Sequence, residues 1–225
     1  VANNRTTSAR GGGLYGLGPA EITIKSSTVS GNRALGSSSD GGGLYFDGPL
    51  ATVVNSTIAG NRANGTGGGI HARDATDLSL NAVTVARNVA DADQSGLAPL
   101  AGGGLYRLSS AGFDVRNSLI ALNGQGPSAF GQDCAGDSPI DSLGSNLLST
   151  TNGGGCQGFD EPTDLIRANP RIGELAANGG PTKTVALKAG SPAVGRAHKP
   201  SCPARDQRGR KRGNDPDIGA YERGA

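Results

Sequence analysis

The chain has 225 residues, with 21 lysines and arginines against 19 carboxylates; a formal charge of +2 is too small to mark a nucleic-acid binder. Its 39 glycines, 4 tyrosines and 4 phenylalanines, with no tryptophan or methionine, leave only a thin core of Val, Ile, Leu and Ala. No apolar run reaches the length of a membrane helix.

The opening residues Val1-Ala2-Asn3-Asn4-Arg5 match Ile58-Ala59-Gly60-Asn61-Arg62, so the chain is expected to begin in mid-strand, with further coils upstream in a longer protein. Four glycine runs follow: Gly11-Gly12-Gly13-Leu14, Gly41-Gly42-Gly43-Leu44, Gly67-Gly68-Gly69-Ile70 and Gly102-Gly103-Gly104-Leu105. Their starts differ by 30, 26 and 35 residues (41−11, 67−41, 102−67). A period in this range marks a solenoid, in which each repeat buries its apolar face against its neighbours.

Each run leads into a segment that ends in asparagine: residues 20–32, 52–61, 77–88 and 113–123. Placed in register, Ile24, Val53, Leu80 and Val115 share one column, and Val29, Ile58, Val85 and Ile120 share another. Leu14, Leu44, Ile70 and Leu105 form a third. Polar residues alternate with these, the period-two pattern of strands with one buried face. Three columns predict about three short strands per coil, stacked in parallel sheets about 4.8 Å apart. The fold class is all-β: a single-stranded right-handed parallel β-helix, its hand taken from the general preference of parallel crossovers. Helices are excluded, because each glycine inside one would cost about 1 kcal/mol.

Two further columns run along the coils. Asn32, Asn61, Asn88 and Asn123 predict an asparagine ladder at a bend, with backbones free to enter the left-handed region. Ligand or metal coordination is the competing reading of that column. Tyr15, Tyr45, His71 and Tyr106 each follow an inward aliphatic residue, so they are expected to face out. Such a stripe either stiffens the surface by stacking or offers rungs close to the repeat of a sugar ring.

Cys134 and Cys156 bracket a glycine-rich stretch without metal-ligand spacing, which predicts a disulfide rather than zinc. Closing that loop contributes roughly 3 kcal/mol and places the protein outside the cytoplasm. Cys202 has no evident partner. Near the end, Asp206, Arg208, Arg212, Asp217 and Glu222 read as a charged clasp closing the last coil and presenting a polar face. An active site with two carboxylates is the other reading. Arg205, Arg208, Arg210, Lys211 and Arg212 also form a basic run, read as a solvated loop in preference to a contact for anionic glycans or lipid headgroups.

A polysaccharide lyase or hydrolase would need clustered carboxylates. Matching positions instead carry Lys25, Val54, Asn81 and Arg116, or Ser26, Asn55, Ala82 and Asn117. Asp40, Asp47, Asp74, Asp77, Asp91 and Asp93 fall in corners and loops of unequal length, and neither His71 nor His198 has a partner signal. No metal and no cofactor is expected.

The C-terminal third changes grammar. Ser142-Leu143-Gly144-Ser145-Asn146-Leu147, Asn169-Pro170-Arg171-Ile172-Gly173, Asn178-Gly179-Gly180-Pro181-Thr182 and Gly190-Ser191-Pro192-Ala193 precede Asp206-Gln207-Arg208-Gly209 and Asp217-Ile218-Gly219-Ala220-Tyr221-Glu222. In this order they resemble the choice-of-anchor Q domain of bacterial surface and secreted proteins, over roughly residues 100 to 225. The resemblance implies a right-handed β-helix of pectate-lyase-like architecture, exported and without a general catalytic function. Members of that family often carry a cysteine before the Asp-Ile-Gly-Ala motif. Here Asn214, Asp215 and Pro216 stand there, leaving Cys202 either a free thiol or bonded to something outside this segment.

The expected organisation is glycine-triad coils over 1–126, a disulfide-bracketed coil over 127–160 and C-terminal coils with a cap over 161–225. The expected function is a non-catalytic module of an extracellular or cell-surface assembly, an adhesive, stalk or accessory subunit. Its expected partners are other envelope proteins or glycans. A polysaccharide-degrading enzyme with its site in residues 34–40, 89–101 or 124–133, or in upstream coils, is one alternative; a glycan binder using the tyrosine stripe is another.

Overall fold

The computed structural model describes every residue except 38, 75, 96–100, 109–110, 127–131 and 152–155. Each glycine triad delivers the chain into a strand of a first sheet, comprising Leu14–Leu17, Leu44–Asp47, Ile70–Arg73, Leu105–Arg107 and Cys134–Gly136. A short turn leads to a second sheet of Glu21–Lys25, Leu50–Val54, Asp77–Asn81, Gly112–Arg116 and Asp141–Ser142. A third holds Thr28–Ser30, Thr57–Ala59, Thr84–Ala86, Leu119–Ala121, Leu147–Leu148 and Leu165–Ile166. All pairings within these sheets are parallel, one coil to the next.

The four coils that begin with a glycine triad also have a fourth short strand, where the columns suggested about three. Two-residue strands after the asparagines form this sheet: Arg5–Thr6, Arg33–Ala34, Arg62–Ala63, Val89–Ala90 and Gly124–Gln125. Its inward residues include the fully buried Ala34, Ala63 and Ala90. Alanine is too weak an apolar signal, and two residues too short a run, to reveal a period.

The three apolar columns are Cα partners down the stack. Ile24 pairs with Val53, Val53 with Leu80 and Leu80 with Val115. Val29, Ile58, Val85 and Ile120 do the same, as do Leu14, Leu44, Ile70 and Leu105. Together with Phe46, Leu78 and Phe113 they make one continuous core.

The triads combine two separate demands. Gly41 and Gly67 have φ of +67° and +62°, the left-handed turn into the strand. Gly42 and Gly68 instead have no room: a Cβ on Gly42 would lie 2.4 Å from Gly68 O, and one on Gly68 2.4 Å from Val89 C. The coils therefore touch backbone to backbone at this corner.

Past Ile166 the chain stops coiling, where further C-terminal coils were expected. It forms an antiparallel hairpin of Ile172–Ala176 with Thr184–Leu187 and then runs back along the flank of the third sheet as a strap. Thr182 Oγ1 donates to Ser26 O, Thr28 Oγ1 to Lys183 O and Thr57 Oγ1 to Gln207 Oε1. Further along, Asn55 Nδ2 donates to Arg205 O, Asn81 Nδ2 to Ser201 O, and His198 N to Asn117 Oδ1.

The reason lies in the outward residues of the third sheet, Ala59, Ala86 and Ala121. They are small and uncharged, and they pack with Ile172, Val185, Leu187, Ala193 and Ile218 in a second apolar cluster. Thr57–Ala59, Thr84–Ala86 and Leu119–Ala121 are thus buried on both faces.

Candidate functional site

Three sets of chemistry-bearing side chains repeat or converge: the asparagine column, the aromatic column and the C-terminal charges. In the first, Asn32, Asn61, Asn88 and Asn123 are completely buried. Every amide Nδ2 and backbone N–H donates to the Oδ1 of the next coil's asparagine. Asn4 gives to Asn32, Asn32 to Asn61, Asn61 to Asn88 and Asn88 to Asn123, all at 2.9–3.0 Å. The second amide hydrogen goes to a core-strand carbonyl, as from Asn61 to Val29 O and from Asn88 to Ile58 O.

Left-handed backbone belongs to the residue before each ladder position, not to the asparagine itself: Gly31, Gly60, Arg87 and Leu122 have φ of +65°, +66°, +56° and +59°. That geometry turns each amide inward to meet its neighbours.

Because every donor points the same way, the ladder needs an acceptor at its end. Asp133, which falls only 10 residues after Asn123 and so breaks the period, supplies it. Its Oδ1 accepts from Asn123 N and Nδ2, and its Oδ2 from Ser149 N, Ser149 Oγ and Thr150 N. A second bend ends alike, with Ser118 N donating to Asn146 Oδ1 and Asn146 N to Asp164 Oδ1. Burial raises the Asp133 carboxyl to about 6, against the donors that favour its ionised form.

In the aromatic column, Tyr15, Tyr45, His71 and Tyr106 are Cα partners in successive coils. Tyr15 meets Tyr45 edge-on at 5.2 Å, and Tyr45, His71 and Tyr106 stack at 4.8 and 5.1 Å. The expectation that the stripe is open to solvent is corrected here. Tyr15 is 46% exposed, but Tyr45 is 0% and His71 2% exposed.

They are covered from the side by charged and hydroxyl groups. Arg10 lies 5.3 Å above the Tyr45 ring and pairs with Asp40 at 3.3 Å. Asp40 Oδ1 accepts from Thr66 N and Thr66 Oγ1, both at 2.8 Å. Thr66 Oγ1 in turn lies 2.8 Å from His71 Nδ1. Since the Thr66 hydroxyl hydrogen goes to Asp40, Nδ1 is the protonated ring nitrogen of His71 and donates to Thr66. Nε2 is left bare and has no partner among the described residues. Burial lowers the His71 pKa to about 4, partly opposed by Asp40. This imidazole is neutral at physiological pH and fixed in one tautomer. Beside the exposed Tyr15 is a hollow of about 420 Å³ lined by Ser8, Ala9, Arg10, Tyr15, Ser37 and Ser39.

These two buried groups titrate in opposite senses. His71, depressed from 6.5 to about 4, adds stability that is present above the unfolded value and lost as pH falls through that window. Asp133, raised from 3.8 to about 6, adds stability that is present below 3.8 and lost as pH rises through 6. Each shift corresponds to about 3 kcal/mol as an upper bound. Urea unfolding between pH 4 and 7 should therefore show opposite differences from the parent protein. His71→Phe becomes relatively less stable toward pH 7, and Asp133→Asn relatively more stable. Parallel profiles for the two variants would contradict this.

The C-terminal charges are buried inside the strap and do not close the last coil or present a polar face. Asp206 Oδ2 pairs with Arg208 Nη2 at 2.7 Å, and Oδ1 accepts from Arg208 N and Arg210 N. Arg212 Nη1 donates to Glu222 Oε2 at 3.0 Å and to Asp217 O at 2.9 Å; Nη2 donates to Gly219 O and Asn55 Oδ1. Asp217 accepts from Gly195 N and Arg223 N, and Glu222 from Gly213 N and Asp217 N. Arg208 also lies 3.8 Å over the Tyr221 ring. Backbone turns thus hold all three carboxylates in place, and Arg212 ties the cluster to Asn55 far up the coil stack.

Cys134 and Cys156 form a disulfide with their Cα atoms 5.0 Å apart, and Cys202 is a free, half-buried thiol. Among the described residues no group of three His, Cys, Asp or Glu side chains is placed to hold a metal ion, and no helix is long and apolar enough to cross a membrane. Of the loops expected to carry a hydrolytic or lyase site, residues 38, 96–100 and 127–131 lie outside the described ones. Sequence reading missed Asp133, Asn55, Asn117 and Gln207. Asn55 and Asn117 share one column, and that column was the available signal.

Residues 1–142 match the family of right-handed β-helix regions, and the chain belongs to that family. The hand of the coil follows from this membership. No curated protein and no solved structure matches the chain.

Proposed function

We propose that this chain is a non-catalytic β-helix module of an exported bacterial surface assembly, of the choice-of-anchor Q kind, serving as an adhesive, stalk or accessory subunit. The observation that carries this reading is the internal engagement of its repeated polar groups. The asparagine column bonds to itself, the middle of the aromatic column is covered, and the C-terminal carboxylates accept from backbone and arginine. Such columns stiffen a rod whose length is set by its coil number. The Cys134–Cys156 disulfide suits an oxidising, extracellular setting.

In cells of its source organism, the expected result is digestion of the protein by an externally added protease, without release of unsaturated or reducing ends from acidic and neutral polysaccharides. Sugar release by the purified protein would replace this reading with the enzymatic one.

A second reading, the glycan binder, is favoured by one feature: Tyr15, Arg10 and three serines around the hollow at the exposed end of the stripe. An aromatic face beside a guanidinium and hydroxyls suits an acidic sugar. On a glycan array, Tyr15→Ala should abolish any binding to uronate-containing chains. An unchanged array would remove this second reading.

A further inference from the structure

The sheet of two-residue strands is apolar on one side and cationic on the other. Ala34 and Ala63 point into the core, whereas Arg5, Arg33 and Arg62 are Cα partners in three successive windings and are all exposed. Their guanidinium groups recur about every 4.8 Å. None of the three makes an ion pair or a side-chain hydrogen bond among the described residues. Residues 3–7, 31–35 and 60–64 contain no carboxylate, and Asp91, in the next winding, is only 6% exposed. Like charges directly opposite one another destabilise a sheet, and no described side chain relieves this row.

A groove runs beside the row. Two residues before Arg33 and Arg62, at the corner toward the third sheet, Gly31 and Gly60 line a hollow of about 510 Å³ between the coils and the hairpin. Ala59 and Leu175 give it an apolar surface, and Arg87 and Lys183 a positive one. Glu174 is the only acid lining it among the described residues. It pairs with Arg87 at 3.2 Å while its own side chain stays 81% exposed. A pair so open to water is weakly held, and Arg87 can exchange Glu174 for another carboxylate.

We propose that the Arg5, Arg33 and Arg62 row, with the groove beside it, binds a linear acidic polysaccharide carrying one carboxylate on each sugar ring. Each guanidinium takes a carboxylate in a two-pronged hydrogen-bonded pair, and the apolar faces of the rings rest on Ala59 and Leu175. Charge repeated along the polymer matches charge repeated along the coils, so one chain neutralises the whole row. Single-stranded nucleic acid fits less well, because it needs aromatic platforms for its bases and these strands carry no aromatic residue. A membrane surface would require large exposed apolar side chains among the cations, and this sheet has none. The site shares no residue with the Tyr15 hollow and is independent of it.

Calorimetric titration of the intact protein with a short oligogalacturonate tests this, beside galacturonate monomer, a neutral galactose oligomer and oligothymidylate. The oligogalacturonate should bind most tightly, and log K should fall with log salt with a slope of about −2 for three contacts. Arg33→Gln and Arg62→Gln should each weaken binding about three- to tenfold and flatten that slope by up to about 1. The triple variant with Arg5→Gln should not bind. Its thermal midpoint should hold or rise as the repulsion is removed, which separates lost binding from lost folding. Tyr15→Ala and Arg116→Gln should bind like the parent protein. The proposal is overturned if the oligogalacturonate does not bind at low salt, or if the neutral oligomer or oligothymidylate binds as tightly. It is also overturned if the triple variant still binds, or if Tyr15→Ala or Arg116→Gln causes a comparable loss.

Discussion

Replacing Arg212 by methionine is expected to lower the unfolding free energy by about 3–5 kcal/mol, the usual result of removing one partner of a buried ion pair. The loss has three parts. Glu222 keeps a buried carboxylate without its guanidinium, the carbonyls of Asp217 and Gly219 lose their donors, and Asn55 loses its bond to the strap. Adding Glu222→Gln should recover part of the loss, because the stranded charge disappears with it. Urea titrations of the single and double variants provide the measurement. A loss below about 1 kcal/mol for Arg212→Met, the range of exposed pairs, would mean that the strap does not depend on this cluster.

Asn88→Ala, in the middle of the ladder, is expected to cost about 2–4 kcal/mol, since each buried donor or acceptor left unmatched costs about 1–3 kcal/mol. It strands Asn61 N–H and one Asn61 amide hydrogen on one side and Ile58 O on the other. It also opens space beside Gly69, whose missing Cβ would stand 3.0 Å from Asn88 Nδ2. Asn88→Asp separates a directional ladder from simple filling of space. An acceptor would then face Ile58 O and Asn123 Oδ1 in place of a donor, so at neutral pH the aspartate variant should be less stable than the alanine one. The opposite order would exclude a one-way ladder. At position 133 the same carboxylate is tolerated because every group around it donates.

The coil architecture was legible because stacked coils repeat the same environment, so Ile24, Val53, Leu80 and Val115 meet the same demand. The asparagine column was legible for the same reason. The cover over the stripe was not. Alternation says that Tyr45 and His71 leave the core, but not that Arg10, Asp40 and Thr66, from three different coils, close over them. The strap has no period at all. Its one signal lay in the scaffold: the second sheet alternates buried and accessible residues, as in Asp77–Asn81, whereas Thr84–Ala86 has only small uncharged residues facing out. Such a face invites a second layer, and residues 167–225 supply it. The Asp206, Arg208, Arg212, Asp217 and Glu222 cluster was correctly grouped by charge, but its place on the flank depended on a reversal that no column records.

The strap also acts as a gauge. Its donors and acceptors engage Ser26, Thr28, Asn55, Thr57, Asn81 and Asn117, positions that advance along the axis winding by winding. Inserting one extra winding between Asn55 and Asn81 would displace everything beyond it by about 4.8 Å, well over the reach of a hydrogen bond. Repeat proteins commonly gain and lose units freely, but here any such change must be matched by an equal lengthening of the returning segment. The number of windings is thereby locked to the other end of the polypeptide.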